Sequence, residues 1–166
     1  TRVFDLLDAY KTFKKEDLFC LKRNDEWKKY SVDETLETIQ TLALGLLELK
    51  IKPGDKVAII SGNRPGWNFV DFAVQIIGGV TVPMYPTSTI EDYEYIFKDA
   101  EVKFVFCENE ELYLKVKAAS KGNKTIKGIY TFDPVADVER WTAVKDLGEG
   151  KDAAVLKPLM DAVKPS

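Results

Sequence analysis

Residues 53–87 read PGDKVAIISGNRPGWNFVDFAVQIIGGVTVPMYPT, and their order decides the fold. Pro53-Gly54-Asp55 is a tight turn. Val57 to Ile60 is a continuous apolar run, too apolar for a strand with one wet face. Asn63 is read as a helix N-cap, with Pro65 in the first turn, where a missing N–H costs nothing. From Pro65 to Ile77 the residues Trp67, Phe69, Val70, Phe72, Ala73, Val74, Ile76 and Ile77 leave almost no polar face, so this helix belongs inside. Gly78-Gly79 stops it, Val80 to Met84 makes the next strand, and Tyr85-Pro86-Thr87 closes the unit. A strand, helix and strand in this order form a βαβ unit, which builds parallel sheets covered on both faces.

Upstream, Leu18 to Arg23 and Trp27 to Tyr30 flank Asn24-Asp25-Glu26 and predict a β-hairpin. Ser31 with Glu34 has the Ser-x-x-Glu spacing of a capping box. Val32, Leu36, Ile39, Leu42, Leu46 and Leu49 then follow at steps of three and four, giving one buried helical stripe. Downstream, Ser88 with Glu91 has the spacing of a second capping box, and Ile90, Tyr93, Phe97 and Ala100 carry its stripe. Val102 to Cys107 is another buried strand, residues 109–120 a helix with Leu112, Val116 and Ala119 inward, and Lys127 to Phe132 a last strand. Beyond Asp133 the pattern thins: Trp141, Val144 and Leu147 suggest a helical turn or two. Ala153 to Val163 suggests another short helix, with Pro158 and Pro165 as breaks. The alternation β-α-β-α-β-α-β predicts an α/β fold with a mainly parallel sheet flanked by helices, preceded by the N-terminal β-hairpin.

The 166 residues suffice for one core and are too few to argue for two domains. A formal charge of −3 produces no broad basic field, which weighs against nucleic acid as a partner. No apolar run approaches the roughly 20 residues of a membrane span, and no signal-peptide pattern is present. The chain begins with Thr1, so a natural start is expected to be missing or removed. There is no histidine, which excludes imidazole bases, Ser-His or Cys-His pairs and His-ligated metals. Cys20 and Cys107 lack metal or redox spacing, and a reducing, cytoplasmic setting is expected. Acidic residues mostly alternate with lysine, so no catalytic carboxylate pair stands out, and no catalytic or metal-ligating residue is nominated.

Three places could carry chemistry. Gly62-Asn-Arg-Pro-Gly66 lies between strand and helix, where phosphate loops occur. It matches neither GxxxxGK[ST] nor GxGxxG, and its proline removes an amide, so a structural turn is favoured over an anion contact through Arg64. Tyr85 to Thr89 follows a strand's carboxyl end, where open parallel sheets bind ligands, yet a capped turn is the simpler reading. Tyr113, Lys115 and Lys117 read first as a solvated helix face. Trp67, Phe69 and Phe72 sit at helical spacing and read as core.

The order of signals across residues 27–133 resembles the adenylate-forming (AMP-binding) superfamily, and in particular the N-terminal part of long-chain fatty-acid CoA ligases. The matching pieces are Trp27 with Tyr30-Ser31, the Leu-rich helix to Leu49, and Pro53 to Ile59. Asn63 with Trp67, Gly78-Gly79-Val80, Val82-Pro83 and Tyr85-Pro86-Thr87 follow. Glu91 with Tyr95-Ile96, Asp99-Ala100 and the Lys103 to Phe106 strand complete the set. The resemblance implies activation of a carboxylate by ATP to an acyl-adenylate and transfer to the thiol of CoA, with Mg²⁺. It also implies a large N-terminal domain joined to a small mobile C-terminal one.

The superfamily's TSGTTGxPKG phosphate loop would be expected shortly after a segment like Asp161 to Pro165, and its nucleotide-contacting motifs, hinge and C-terminal lysine later still. Residues 1–166 are therefore expected to be a single truncated N-terminal subdomain, inactive alone, with ATP, Mg²⁺ and CoA serving the parent enzyme and none bound to the fragment. The partners expected are fatty acid and CoA in the parent, the remainder of the same chain, and a second copy through exposed apolar surface. In related synthetases the turn after the Val-Pro strand and the next helix region lie near the adenine and 3′-phosphate of CoA. This nominates Tyr85 and Pro86, with Tyr113 and Lys115. Two alternatives stay open: an adenylate-forming ligase for another carboxylic acid, or a non-catalytic α/β binding or interaction module.

Overall fold

A computed structural model describes residues 1–164; Pro165, read above as a break, and Ser166 lie outside the described residues. A short helix, α1 (Leu6–Lys11), precedes the hairpin of β1 (Phe19–Arg23) and β2 (Glu26–Tyr30). Asn24 and Asp25 make its turn, as their residue types suggest, with φ of 47° and 62°, and β2 starts one residue earlier than expected. Two consecutive left-handed residues form the type I′ turn that matches strand twist, and Asn and Asp tolerate that region. Glu26 therefore joins β2 opposite Arg23.

Helix α2 (Val32–Glu48) starts at the expected capping box, Ser31 Oγ accepting the Glu34 amide at 3.1 Å and Glu34 Oε2 accepting the Ser31 amide at 2.8 Å. Strand β3 (Lys56–Ile60) leads into α3 (Pro65–Ile76), and β4 (Val80–Met84) into α4 (Ile90–Asp99). Then come β5 (Val102–Cys107), α5 (Glu110–Ala119) and β6 (Gly128–Thr131). Two short helices, α6 (Trp141–Leu147) and α7 (Leu156–Ala162), end the description.

The strand order is β4-β3-β5-β6, and every neighbouring pair is parallel. Pro83 sits opposite Ile59 in β4, an edge strand, where a missing ladder donor is tolerated. The other edge is covered in part, since the Thr131 amide donates to the Glu139 carbonyl at 3.0 Å. Side chains alternate along the strands into two cores. Val57, Ile59, Phe104 and Phe106 face α2 and α3, whereas Ala58, Ile60, Val105 and Cys107 face Tyr93 and Phe97 of α4 and Leu112 and Val116 of α5. Burial on both faces is why these strands read as unbroken apolar runs.

Helix α2 lies between α3 and α6, so Leu42 to Leu46 are buried all round rather than along one stripe, while Leu36 and Leu49 are only half-buried. The approach to α6 is close enough to require glycine. A Cβ on Gly45 would overlap the Val144 carbonyl, and one on Gly148 the Thr41 carbonyl.

Four local expectations are corrected. Arg64, not Asn63, is the N-cap of α3, with φ −158° and ψ 155°. Pro65 occupies the first helical position and forces its predecessor into extended geometry. The cap of α4 is Thr89 with Asp92, not Ser88 with Glu91. Ser88 is spent on the preceding turn, where its amide donates to the Tyr85 carbonyl at 3.1 Å. Ile90 at the head of α4 is exposed rather than inward. Pro158 does not break α7 but sits in its first turn, where no intrahelical donor is lost.

Candidate functional site

The strand order reverses between β3 and β5, and in open α/β sheets ligands enter beside such a reversal, beyond the carboxyl ends of the strands. Here that corner is built from Ser61 to Arg64 after β3 and Glu108-Asn109 after β5. The carboxylate of Glu108 fills it. Glu108 Oε2 accepts the Gly62 amide at 2.7 Å and the Ser61 hydroxyl at 3.2 Å, and its Oε1 lies 2.9 Å from Arg64 Nη2. Arg64 continues the network to Asp133 Oδ1 at 3.0 Å, and Arg23 of the hairpin pairs with the same carboxylate. The Arg64 guanidinium also lies 5.4 Å from the centre of the Phe132 ring.

The electrostatics follow from this geometry. Burial by itself pushes the Glu108 carboxyl up, but the Gly62 amide, the Arg64 charge and the Ser61 hydroxyl together hold it below its ordinary value. Burial lowers the Arg64 pKa against the pull of Glu108. The loop amide that might have met a phosphate is thus committed to the protein's own carboxylate. Gly62 to Gly66 is a tie between strand ends. The sequence reading passed over Glu108 and Asp133, although one signal was available: each is an acid directly following an apolar strand run.

At the second corner, the ring of Tyr85 is 80 % exposed while its carbonyl accepts both the Ser88 amide and, at 2.8 Å, the hydroxyl of the fully buried Tyr93. Pro86 beside it is half-buried. The first turn of α4 is satisfied internally, Thr89 Oγ1 accepting the Asp92 amide at 3.1 Å and Asp92 Oδ2 the Thr89 amide at 2.9 Å. Those bonds hold the Asp92 carboxyl below its usual range.

Tyr113 and Lys115 occupy α5. Tyr113 is half-buried and lines a shallow groove with Ile126, Gly128 and Ile129, at the β6 side of the sheet. Lys117 lies 5.7 Å from its ring centre. Lys115 Nζ is 3.5 Å from the exposed Glu111 carboxylate. The structure therefore sets Tyr85 beside Pro86 at one corner, while Tyr113 and Lys115, two positions apart in α5, project to different sides of that helix. The strands nearest to them, β4 and β6, are three spacings apart, about 14 Å. Among the described residues no group of three or more His, Cys, Asp or Glu is arranged to hold a metal ion. No described helix is long and apolar enough to cross a membrane.

A doubly wound parallel layer with helices on both faces defines the class as an open α/β fold. Within that class, the chain belongs to the AMP-binding enzyme family, whose model matches residues 9–163. Fatty acyl-CoA synthetase B of Dictyostelium discoideum is 37% identical over 123 residues, 74% of this chain and 18% of that protein. A long-chain-fatty-acid--CoA ligase of Mycobacterium tuberculosis is 37% identical over 84 residues, 51% of this chain and 14% of the ligase. Among solved structures, the luciferase-like enzyme of the mealworm Zophobas morio superimposes with a TM-score of 0.74 at 20% identity, covering 98% of this chain and 35% of that one. An anthranilate CoA ligase in complex with anthranoyl-AMP gives 0.74 at 13% identity, covering 88% and 27%. These two likenesses establish the fold. The chain spans less than a fifth of the length of these two curated relatives.

Proposed function

We propose that residues 1–166 are the N-terminal subdomain of an AMP-forming long-chain fatty-acid–CoA ligase. In the parent reaction a fatty-acid carboxylate attacks the α-phosphorus of ATP, giving acyl-adenylate and pyrophosphate. The thiol of CoA then displaces AMP to give the thioester. The observation that carries this reading is the match of one family over almost the whole chain, together with relatives named as fatty acyl-CoA ligases.

Within that enzyme the part described here acts as scaffold. Its switch-point corner does not fit nucleotide phosphates, because Glu108 already takes the Gly62 amide and places a negative charge there. No step of adenylation or metal binding is assigned to these residues. The corner at Tyr85 does fit a nucleotide base: the ring is free on the surface, and its backbone is pinned by Tyr93. Tyr85 with Pro86 is assigned to the adenine of CoA, and Lys115 with Tyr113 to its phosphate end. Because the two pairs lie toward opposite edges of the sheet, the ligand would cross the outer faces of α4 and α5.

Two experiments test the reading. Residues 1–166 incubated with ATP, Mg²⁺ and palmitate should release no pyrophosphate above buffer, and release would overturn the scaffold role. In the longer ligase, Tyr85→Ala should raise KM for CoA several-fold while leaving KM for ATP unchanged. Equal effects on both would remove Tyr85 from the CoA site.

A further inference from the structure

Strand β4 offers a second surface, independent of the ligase reading. It pairs with β3 alone, at one end of the sheet. The bond directions along it follow from its first residue, since the Val80 amide donates to the Asp55 carbonyl at 2.9 Å, on the β3 side. Backbone groups alternate along a parallel strand, so Val80, Val82 and Met84 bond toward β3 while Thr81 and Pro83 face away. Pro83 has no amide to leave open. The edge therefore presents the Thr81 N–H and carbonyl, with the Pro83 carbonyl beyond. Val80 to Met84 carry no charge, and Val80 and Pro83 are exposed. An edge without charge or cover is a template for another strand.

Beside that edge runs a notch of about 320 Å³. Trp67, Asp71 and Gln75, spaced at one helical turn on α3, form one wall, and Thr81 and Pro83 form the other. Thr81 is the register partner of Val57, which faces α3, so the Thr81 side chain lies on that face. Its Oγ1 is buried and has no hydrogen-bond partner. A hydroxyl orphaned in this way is unfavourable until something bonds it. The Asp71 carboxylate accepts the Gln75 side-chain amide at 2.9 Å and, among the described residues, makes no ion pair. A negative charge and an unused hydroxyl thus lie next to an unused backbone amide.

We propose that this edge takes an extended peptide as a fifth strand, with a lysine or arginine opposite Thr81 reaching into the notch to pair with Asp71. In strand addition, main-chain bonds give affinity and alternate side chains give selectivity. Alternation fixes the rest of the pattern. The residues flanking the basic one turn to the other face, beside Val80 and Val82, so the segment reads apolar–basic–apolar. A second copy of β4 does not meet this demand, because Val80 to Met84 contain no cation. Pro83 keeps the added strand short, since no donor faces it there.

The test uses the chain of residues 1–166 and a capped peptide, Thr-Val-Lys-Val-Thr, with norleucine replacing lysine as the control. Saturable binding at millimolar peptide or below is expected, with a change in tryptophan emission that Trp67→Phe removes. The bound peptide should slow hydrogen exchange at the Thr81 amide. Norleucine in the peptide or Asp71→Asn in the protein should each weaken binding about tenfold, and the two together no more than either alone. Thr81→Val should also weaken binding while leaving the melting temperature of the free protein unchanged or raised, because it deletes an unbonded hydroxyl. Equal affinity for the two peptides, a Thr81 amide that still exchanges freely at saturation, or fully additive effects of norleucine and Asp71→Asn would each overturn the proposal. So would concentration-dependent dimerisation that protects the same amide, which would assign the edge to a second copy.

Discussion

Glu108 Oε2 accepts the Gly62 amide at 2.7 Å, joining the carboxyl end of β5 to the loop that leaves β3. This bond lies at the reversal of strand order, where a related architecture would leave room for a ligand. Its partner Arg64 carries the tie onward to Asp133, and so to the hairpin through Arg23. Four segments distant in sequence are held together through one pair of carboxylates.

The tie should be visible in acid. The folded Glu108 pKa lies below its ordinary 4.5, so its contribution to stability is full above that value and is lost as pH falls through the lower folded value. Glu108→Gln should cost about 1–3 kcal/mol at pH 7 by leaving Arg64 and the Gly62 amide poorly matched. Urea melts of wild type and variant should converge as pH falls from about 5 to 3. A gap that stays constant over that range would mean the carboxylate's charge is not what matters.

Gly45→Ala tests the contact of α2 with α6. Alanine gains about 1 kcal/mol in helix propensity, yet its methyl would meet the Val144 carbonyl. Backbone on both sides cannot swing away like a side chain, so a net loss of about 2–3 kcal/mol is expected in urea denaturation. A stabilised variant would show that the helices can separate freely.

The choice between two overlapping caps can be measured directly. Thr89→Ala removes the acceptor of the Asp92 amide and should cost about 1 kcal/mol. Ser88→Ala should change stability by less than about 0.5 kcal/mol, since Ser88 contributes its backbone to the turn. The reverse order would place the helix start one residue earlier.

Phe69 holds the hairpin to the body through Phe19 and Tyr30 and also touches Trp141. Phe69→Ala should cost about 3–5 kcal/mol. Hydrogen exchange should then accelerate in β1 and β2 more than in β5, whose neighbours remain. Uniform acceleration would indicate that the hairpin does not depend on this ring.

Much of the architecture was readable in the chain because its signals are local. The run Val57 to Ile60, the apolar helix after Pro65, the glycine stop and the run Val102 to Cys107 each carry their period and punctuation in adjacent residues. The hairpin announced itself by Asn24-Asp25 and the helix after it by Ser31 and Glu34. Where two local signals overlapped, as at Ser88 and Thr89 or at Asn63 and Arg64, the sequence did not rank them. The winner depended on a turn bond to Tyr85 in one case and on Pro65 sterics in the other. For the candidate site, the exposed corner at Tyr85 was legible as the end of a strand. Glu108 and Asp133 looked like ordinary surface acids, because a carboxylate's partner can lie anywhere along the chain.

By itself, then, the sequence determined the element types, their order and the family, since each depends on residue identity within a window of a few turns. The tertiary structure alone decided that the loop after β3 is closed by Glu108, that Gly45 and Gly148 are required by crossing backbones, and that Tyr85 and Tyr113 stand apart. It also decided which side of the hairpin carries Trp27 outward. Those facts depend on distances between residues far apart in the chain, and such distances exist only once β3, β5 and the helices have packed.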